Sequence, residues 1–130
     1  MLILFGTSNK EDGLVMDAIH TVKAMQLKLR TFNAHLEGMY GFSFSLRAGI
    51  HYGSAILGHF STDSMSKVAA IGDSVNFASR IEQANKQFGT ELLISEAAYQ
   101  QAEKHVELSG THATELKGKS GIYTLYEIKI

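Results

Sequence analysis

The sequence has no cysteine and no proline, and its formal net charge is only −1. Without cysteine, disulfide bonds, thiolate catalysis and cysteine-ligated zinc are excluded. The near-neutral charge argues against a surface that binds nucleic-acid phosphates, because such surfaces carry a basic excess. No apolar run approaches the roughly 20 residues that cross a membrane, and Met1–Phe5 is too short for a signal peptide. We therefore expect one cytoplasmic domain over residues 1–130, with no nucleic-acid partner and no membrane segment.

The N-terminal part contains one apolar run and one long periodic stretch. Met1–Phe5 is continuously apolar, which predicts a buried strand. From Leu14 to Leu36 apolar residues recur at alternating spacings of three and four, which predicts a long amphipathic helix. Asp12 is a plausible N-cap for this helix, and Gly38 a plausible stop.

The rest of the chain alternates between strand and helix patterns. Residues 42–50 alternate apolar and polar, which predicts a strand, with a hairpin turn at 51–54 and a return strand over 55–60. The following elements are predicted as strand, helix, strand, helix, strand and strand, over residues 67–71, 73–88, 91–94, 96–104, 113–117 and 122–130. This order indicates an α+β fold, an antiparallel-rich sheet with helices packed on one face.

The densest group of polar side chains lies at the start of the predicted helix that follows Gly72. Asn76 and Arg80 are four residues apart and therefore share one face of that helix. An amide and a guanidinium in line behind a helix N-terminus could stabilise a phosphate or a developing oxyanion. The alternative is a helix capped by Asp73 whose polar face is only solvated, and spacing alone favours this alternative.

A glycine-flanked turn, Leu116–Gly121, is the second candidate. Lys117 or Lys119 could reach a phosphate as a point charge. Lysines in turns are more often only solvated. His51 could carry a proton, but a structural hydrogen bond is the simpler interpretation. The other histidines lack ligand spacing, so the sequence predicts no metal site.

Four segments resemble, in order and spacing, the catalytic domain of class III adenylate and guanylate cyclases. They are Leu46–Gly53, Ile71–Glu82, Thr90–Glu96 and Leu116–Lys119. The resemblance implies a ferredoxin-like α+β fold and head-to-tail dimers whose active sites are shared between subunits. It also implies the conversion of a purine nucleoside triphosphate into its 3′,5′-cyclic monophosphate and pyrophosphate.

The resemblance assigns roles to individual positions. Asn76 and Arg80 are similar to the family's catalytic asparagine and arginine, which orient the ribose and stabilise charge on the α-phosphate. Lys117 is similar to the lysine that meets the terminal phosphate. Ala69 stands at the base-facing position, where its methyl group cannot hydrogen-bond a base. Position 69 thus does not select the base, and the resemblance favours ATP over GTP only because adenylate cyclases are the more frequent members of the family.

The family also uses two Mg²⁺ or Mn²⁺ ions held by two aspartates. By position both aspartates would lie upstream of Met1, so we expect an N-terminally incomplete, partial domain that binds no metal and has little activity alone. Expected partners are a second copy or another cyclase domain, with a sensor domain fused in a longer protein. Two alternatives remain: a degenerate cyclase-homology module that binds nucleotide or a metal-bearing partner without turnover, and a plain ferredoxin-like interaction domain.

Overall fold

The computed structural model describes residues 1–8 and 11–130, apart from the side chains of residues 65–68. The elements in these ranges are α1 (Leu14–Tyr40), β1 (Ala48–Ile50), β2 (Ile56–Thr62), β3 (Met65–Ile71), α2 (Asp73–Phe88), β4 (Leu92–Ser95), α3 (Glu96–Ala102), β5 (Leu108–Glu115) and β6 (Ile122–Ile128). Within the same ranges, no helix combines the length and apolar character that a membrane span requires.

Four of the strands form a mixed sheet in the order β1-β4-β6-β5. β1 runs parallel to β4, whereas β6 is antiparallel to both of its neighbours. Among the described strands, β2 and β3 pair with each other alone, as an antiparallel hairpin separate from the sheet. The sheet is therefore antiparallel-rich, and β1 stands at one of its edges.

The apolar side chains of β4 contribute to two hydrophobic cores, one on each face of the sheet. Leu92 and Ile94 pack on one face against α1 and α3. Leu93, which points the other way, packs against Ile81 and Ala84 of α2. The expected α+β class is confirmed, but helices cover both faces of the sheet rather than one. The reason is that β4 is buried at every position, as in strands that need cover on both sides.

The N-terminal part departs from the sequence prediction in two places. Met1–Phe5 is not a strand, since no described strand pairs with it, and most of its side chains are exposed. α1 has Gly13 rather than Asp12 at its N-cap, without a side-chain hydrogen bond. The helix also continues past Gly38 and ends at Gly41, whose left-handed backbone (φ 70°) lets its N–H donate to the Glu37 carbonyl.

The predicted hairpin at residues 51–54 is wrong. β1 pairs in parallel with β4, and β2 pairs with β3 across a turn at Asp63–Ser64. Alternation identifies a strand but not its partner, and here α2 supplies the crossover that parallel pairing requires. Residues 42–47, predicted as part of the strand, lie outside β1.

Downstream of β3 the predicted helices and strands are present, but β5 begins at Leu108, well before its predicted start at Ala113. α2 ends at Gly89, which has φ 68°, as the sequence indicates. Ser95 caps α3, and its hydroxyl accepts a hydrogen bond from the Ala98 N–H at 3.2 Å. The N-cap of α2 is Gly72 rather than Asp73, and glycine has no side chain with which to cap that end.

Candidate functional site

The C-terminal half of α2 is fixed to the edge strand β1 by close packing and by one buried amide. A methyl group at Gly49 would lie 2.3 Å from the Glu82 backbone nitrogen, so the helix and strand backbones are in direct contact. The fully buried Asn85 donates from Nδ2 to the Ala48 carbonyl at 2.9 Å. Its Oδ1 accepts from the Thr90 hydroxyl at 2.8 Å. These contacts set the position of the whole helix.

The N-terminal half of α2 carries the two side chains singled out from the sequence. Asn76 is exposed and Arg80 is half-buried, and their four-residue spacing puts them on one helical face. The Arg80 guanidinium lies against Gly118, where a methyl group would be 3.1 Å from Nη2. The structure thus joins α2 to the second candidate segment, which is distant in sequence.

That second segment begins as a tight β-turn. The Lys119 N–H donates to the Leu116 carbonyl at 2.9 Å, which places Lys117 and Gly118 at the two central positions. Gly118 has φ 73°, a left-handed conformation that favours glycine. Leu116 is buried in the core beneath α2, whereas Lys117 is exposed at the corner of the turn.

Lys119, rather than Lys117, contacts α2 directly. Its ammonium forms an ion pair with Asp73 and lies 5.2 Å from the centroid of the Phe77 ring. The hydrogen bond from Lys119 is the main reason that the pKa of Asp73 lies below its ordinary value. Sequence analysis expected Asp73 to cap the helix and missed this pairing, since no local pattern indicates a contact over 46 residues.

His51 has the structural role that the sequence favours. Its Nδ1 lies 2.9 Å from the Ser95 hydroxyl oxygen, and its ring meets Phe77 edge-on at 4.6 Å. Burial lowers the pKa of His51, the charge of Asp73 opposes this shift, and Lys119 adds to it. His51 thereby links the end of β1, the cap of α3 and the first turns of α2.

Ala69 lies on β3, opposite Gly58 of β2. It is half-buried and stands four residues before the first residue of α2, so the hairpin leads directly into the helix that carries Asn76. Its methyl group offers no hydrogen bond to a base. The structure therefore supplies no base-reading contact at this position.

The described residues do not fit a metal ion. In the ranges 1–8 and 11–130, omitting the side chains of 65–68, no three His, Asp or Glu side chains cluster as metal ligands would. Asp73, the first residue of α2, is already paired with Lys119. The metal dependence that the family resemblance implies therefore finds no set of ligands among the described residues.

Comparison with known proteins points to one family. The family model for the adenylate and guanylate cyclase catalytic domain matches residues 3–129. Adenylate cyclase 1 of Rhizobium meliloti (strain 1021) is 33% identical over 105 residues, 81% of this chain and 16% of that protein. The adenylate cyclase of Anabaena cylindrica is 32% identical over 126 residues, 92% of this chain and 25% of that protein. The chain thus spans only a minor part of these curated relatives.

Solved structures agree on the fold. The guanylyl cyclase Cya2 superposes with a TM-score of 0.83 at 23% identity, over 95% of this chain and 62% of that one. The guanylate cyclase domain of RhGC from Catenaria anguillulae, solved with GTP, gives 0.76 at 24% identity, over 96% of this chain and 64% of that one. At such identities the likeness bears on the fold alone.

Proposed function

Because the chain belongs to the adenylate and guanylate cyclase catalytic domain family, we propose that it supplies one half of an adenylate cyclase active site. The reaction is the conversion of ATP into cyclic AMP and pyrophosphate. One observation carries the proposal: Asn76 and Arg80 share one face of α2, and the Leu116–Lys119 turn lies against the same helix. This arrangement supports a site in which one amide and the cations Arg80 and Lys117 contact the same nucleoside triphosphate.

Each side chain has a chemical task in the proposed reaction. The Asn76 amide orients the ribose, so that its 3′-hydroxyl oxygen can attack the α-phosphorus, losing its proton to solvent, while the bond to pyrophosphate breaks. The Arg80 guanidinium is always charged and stabilises the negative charge that grows on the α-phosphate oxygens. Lys117, at the exposed corner of its turn, contacts the terminal phosphate as a point charge.

The preference for ATP over GTP rests on the curated relatives. Both relatives described above are adenylate cyclases, at 33% and 32% identity. The Ala69 side chain neither accepts nor donates a hydrogen bond, so selection of the base would need contacts elsewhere. Competition between ATP and GTP for the purified chain tests this preference: tighter binding of GTP would contradict it.

The β2–β3 hairpin supports a partner that completes the site. Ile56, Leu57 and Phe60 are exposed on this hairpin, which pairs with no other described strand. A lone two-stranded hairpin is marginally stable in water, and exposed apolar side chains mark interaction surfaces. We propose that the partner is a second copy or another cyclase domain, and that it contributes the metal-binding carboxylates.

The wider setting follows from the relatives and from the substrate. The relatives are several times longer than the region they share with this chain, which supports a natural protein with a fused sensor domain. Nucleoside triphosphates are abundant inside cells, which fits a cytoplasmic enzyme in cyclic-nucleotide signalling. The size of the natural gene product tests the fused domain, and fractionation of the cells that express it tests the cytoplasmic address.

Calorimetric titration with a non-hydrolysable ATP analogue tests the nucleotide site. Arg80→Ala should weaken binding about 10-fold or more, because a hydrogen bond to a charged group contributes roughly 1.5–3 kcal/mol. Asn76→Ala should weaken it less. Lys86→Ala is the matched control, since it removes a charge from an exposed position of the same helix. Equal affinities of wild type and Arg80→Ala would contradict the proposal.

A degenerate module that binds nucleotide without turnover is the second candidate. The absence of a metal-ligating cluster among the described residues favours it for the chain on its own. Purified chain with ATP and Mg²⁺ or Mn²⁺ should then bind nucleotide and release no cyclic AMP. Cyclic AMP from the chain alone would contradict both the module and the half-site.

A further inference from the structure

The turn that follows β5 lies along one face of α2 for two helical turns. Three contacts define this arrangement: the Asp73–Lys119 ion pair, the Lys119 ammonium against the Phe77 ring, and Gly118 against the Arg80 guanidinium. Positions 73, 77 and 80 follow the i, i+4, i+7 spacing of a single helical stripe. The turn therefore contacts the helix at points from its first residue to the proposed catalytic arginine.

Both ends of the turn are anchored, which leaves its corner little freedom. Leu116 is 5% exposed and packs in the core under α2. Three residues later the Lys119 N–H closes the turn on the Leu116 carbonyl, and the Lys119 side chain binds Asp73. Lys117 lies between these anchors, so the placement of its ammonium depends on both of them.

The two side chains of the ion pair differ in their exposure to solvent. The Lys119 side chain is 20% exposed, whereas that of Asp73 is 70% exposed. The aliphatic part of Lys119 is covered by protein while its charge is compensated by Asp73, a pattern typical of a lysine used for packing and anchoring. The charge of Lys119 is thus already paired with a carboxylate. Of the three cations at this site, Lys117 and Arg80 are the ones that can contact a phosphate.

Arg80 in turn is confined by the turn backbone. A methyl group on Gly118 would lie 3.1 Å from Nη2 and 3.6 Å from Cζ, so the guanidinium already touches the turn. A turn that lifts away from α2 would release the guanidinium to other rotamers. Loss of such preorganisation weakens interactions with a bound ligand even when every contacting group is still present.

We infer that Asp73 and Lys119 are positioning residues, whose ion pair holds the 116–119 turn on α2 and thereby fixes Arg80 and Lys117 relative to each other. The inference rests on the proposed function, and it adds two residues that the family resemblance does not assign. No bond is made or broken by either side chain. Their effect on the reaction is exerted through the two cations that they place.

The first test observes Arg80 without nucleotide. In ¹⁵N-labelled protein the Arg80 Nε–H signal should shift in Lys119→Met, which keeps an unbranched side chain but removes the charge, and in Asp73→Asn. Lys119→Arg retains the ion pair and should leave the signal near its wild-type position. Lys104→Met, an exposed site beyond α3, is the control. An unmoved Arg80 signal in Lys119→Met and Asp73→Asn would overturn the inference.

The second test measures the coupling between positions 119 and 80 in nucleotide binding. Lys119→Met should weaken binding of the ATP analogue about 3- to 10-fold, within the usual range for residues coupled through contact. In the Arg80→Ala background the same change should have a smaller effect, and Lys119→Arg should restore most of the affinity. Strictly additive effects would overturn the inference. Equal affinities of wild type and Arg80→Ala would instead refute the proposed function, while the Arg80 signal still decides whether the turn positions the guanidinium.

Discussion

The two halves of α2 differ in what surrounds them. The C-terminal half contributes Ile81, Ala84 and Asn85 to the core, and it is in backbone contact with Gly49. The N-terminal half packs only Phe77 against that core; its other described contacts are polar ones to a surface turn, and Asn76 is exposed. One half anchors the helix, and the other presents chemistry from a fixed position. Changes to the first half should therefore cost stability, and changes to the second should cost nucleotide binding.

The largest expected effect is that of Gly49→Ala on stability. The added methyl group would meet the backbone of α2 at 2.3 Å, and a backbone cannot move aside as a flexible side chain can. We expect the free energy of unfolding to fall by roughly 3 kcal/mol or more, the upper range for overpacking. Urea denaturation of the purified chain measures it.

Gly38→Ala is the matched control for this change. Gly38 lies inside α1 with open space around it, so alanine should raise the free energy of unfolding by about 0.5–1 kcal/mol. An equal effect of the two substitutions would show that Gly49 is not a contact point between β1 and α2.

Asn85→Ala should have the next largest effect. The substitution leaves the Ala48 carbonyl and the Thr90 hydroxyl without their side-chain partner. We expect a loss of about 1–3 kcal/mol, the usual cost of unpaired buried polar groups. Gln87→Ala, at an exposed position of the same helix, should change the unfolding midpoint very little. A neutral Asn85→Ala would contradict the anchoring role of this amide.

A pH-dependent loss of stability should trace to His51, which lies at the junction of the two halves. Its pKa is lowered in the folded state, mainly by burial, so the folded protein resists protonation of the ring. The corresponding stability is present above the ordinary pKa of about 6.5 and is lost as the pH falls below it. His51→Gln should flatten the dependence between neutral and mildly acidic pH, measured by denaturation at each pH. An unchanged slope would contradict this assignment.

Arg80→Ala should have the smallest effect on stability. Its guanidinium contacts a surface turn rather than the core, so we expect the unfolding free energy to stay within about 0.5 kcal/mol of wild type. Denaturation of the same protein sample used for calorimetry checks this. A large destabilisation would mean that the N-terminal half of α2 also anchors the fold.

How much of the fold and of the site the sequence predicts depends on how far apart in the chain the interacting residues lie. Periodicity and Gly89 located α2, and Ser95 located the cap of α3, because these signals are local. The segment around Asn76 indicated the family, although spacing alone favoured a solvated helix. The partner of β1 was missed, since alternation does not encode pairing. The Asp73–Lys119 contact was missed for the same reason, because it joins residues far apart in the chain.

The central claim, that α2 presents half of a composite cyclase site, is tested most directly by complementation. The chain is mixed with a cyclase domain that holds the metal-binding carboxylates but whose own asparagine and arginine have been replaced, and cyclic AMP is measured with ATP and Mg²⁺. The claim predicts that cyclic AMP appears with the wild-type chain and with Lys86→Ala, and that it is lost with Arg80→Ala. No product with the wild-type chain, or equal product with Arg80→Ala, would contradict it.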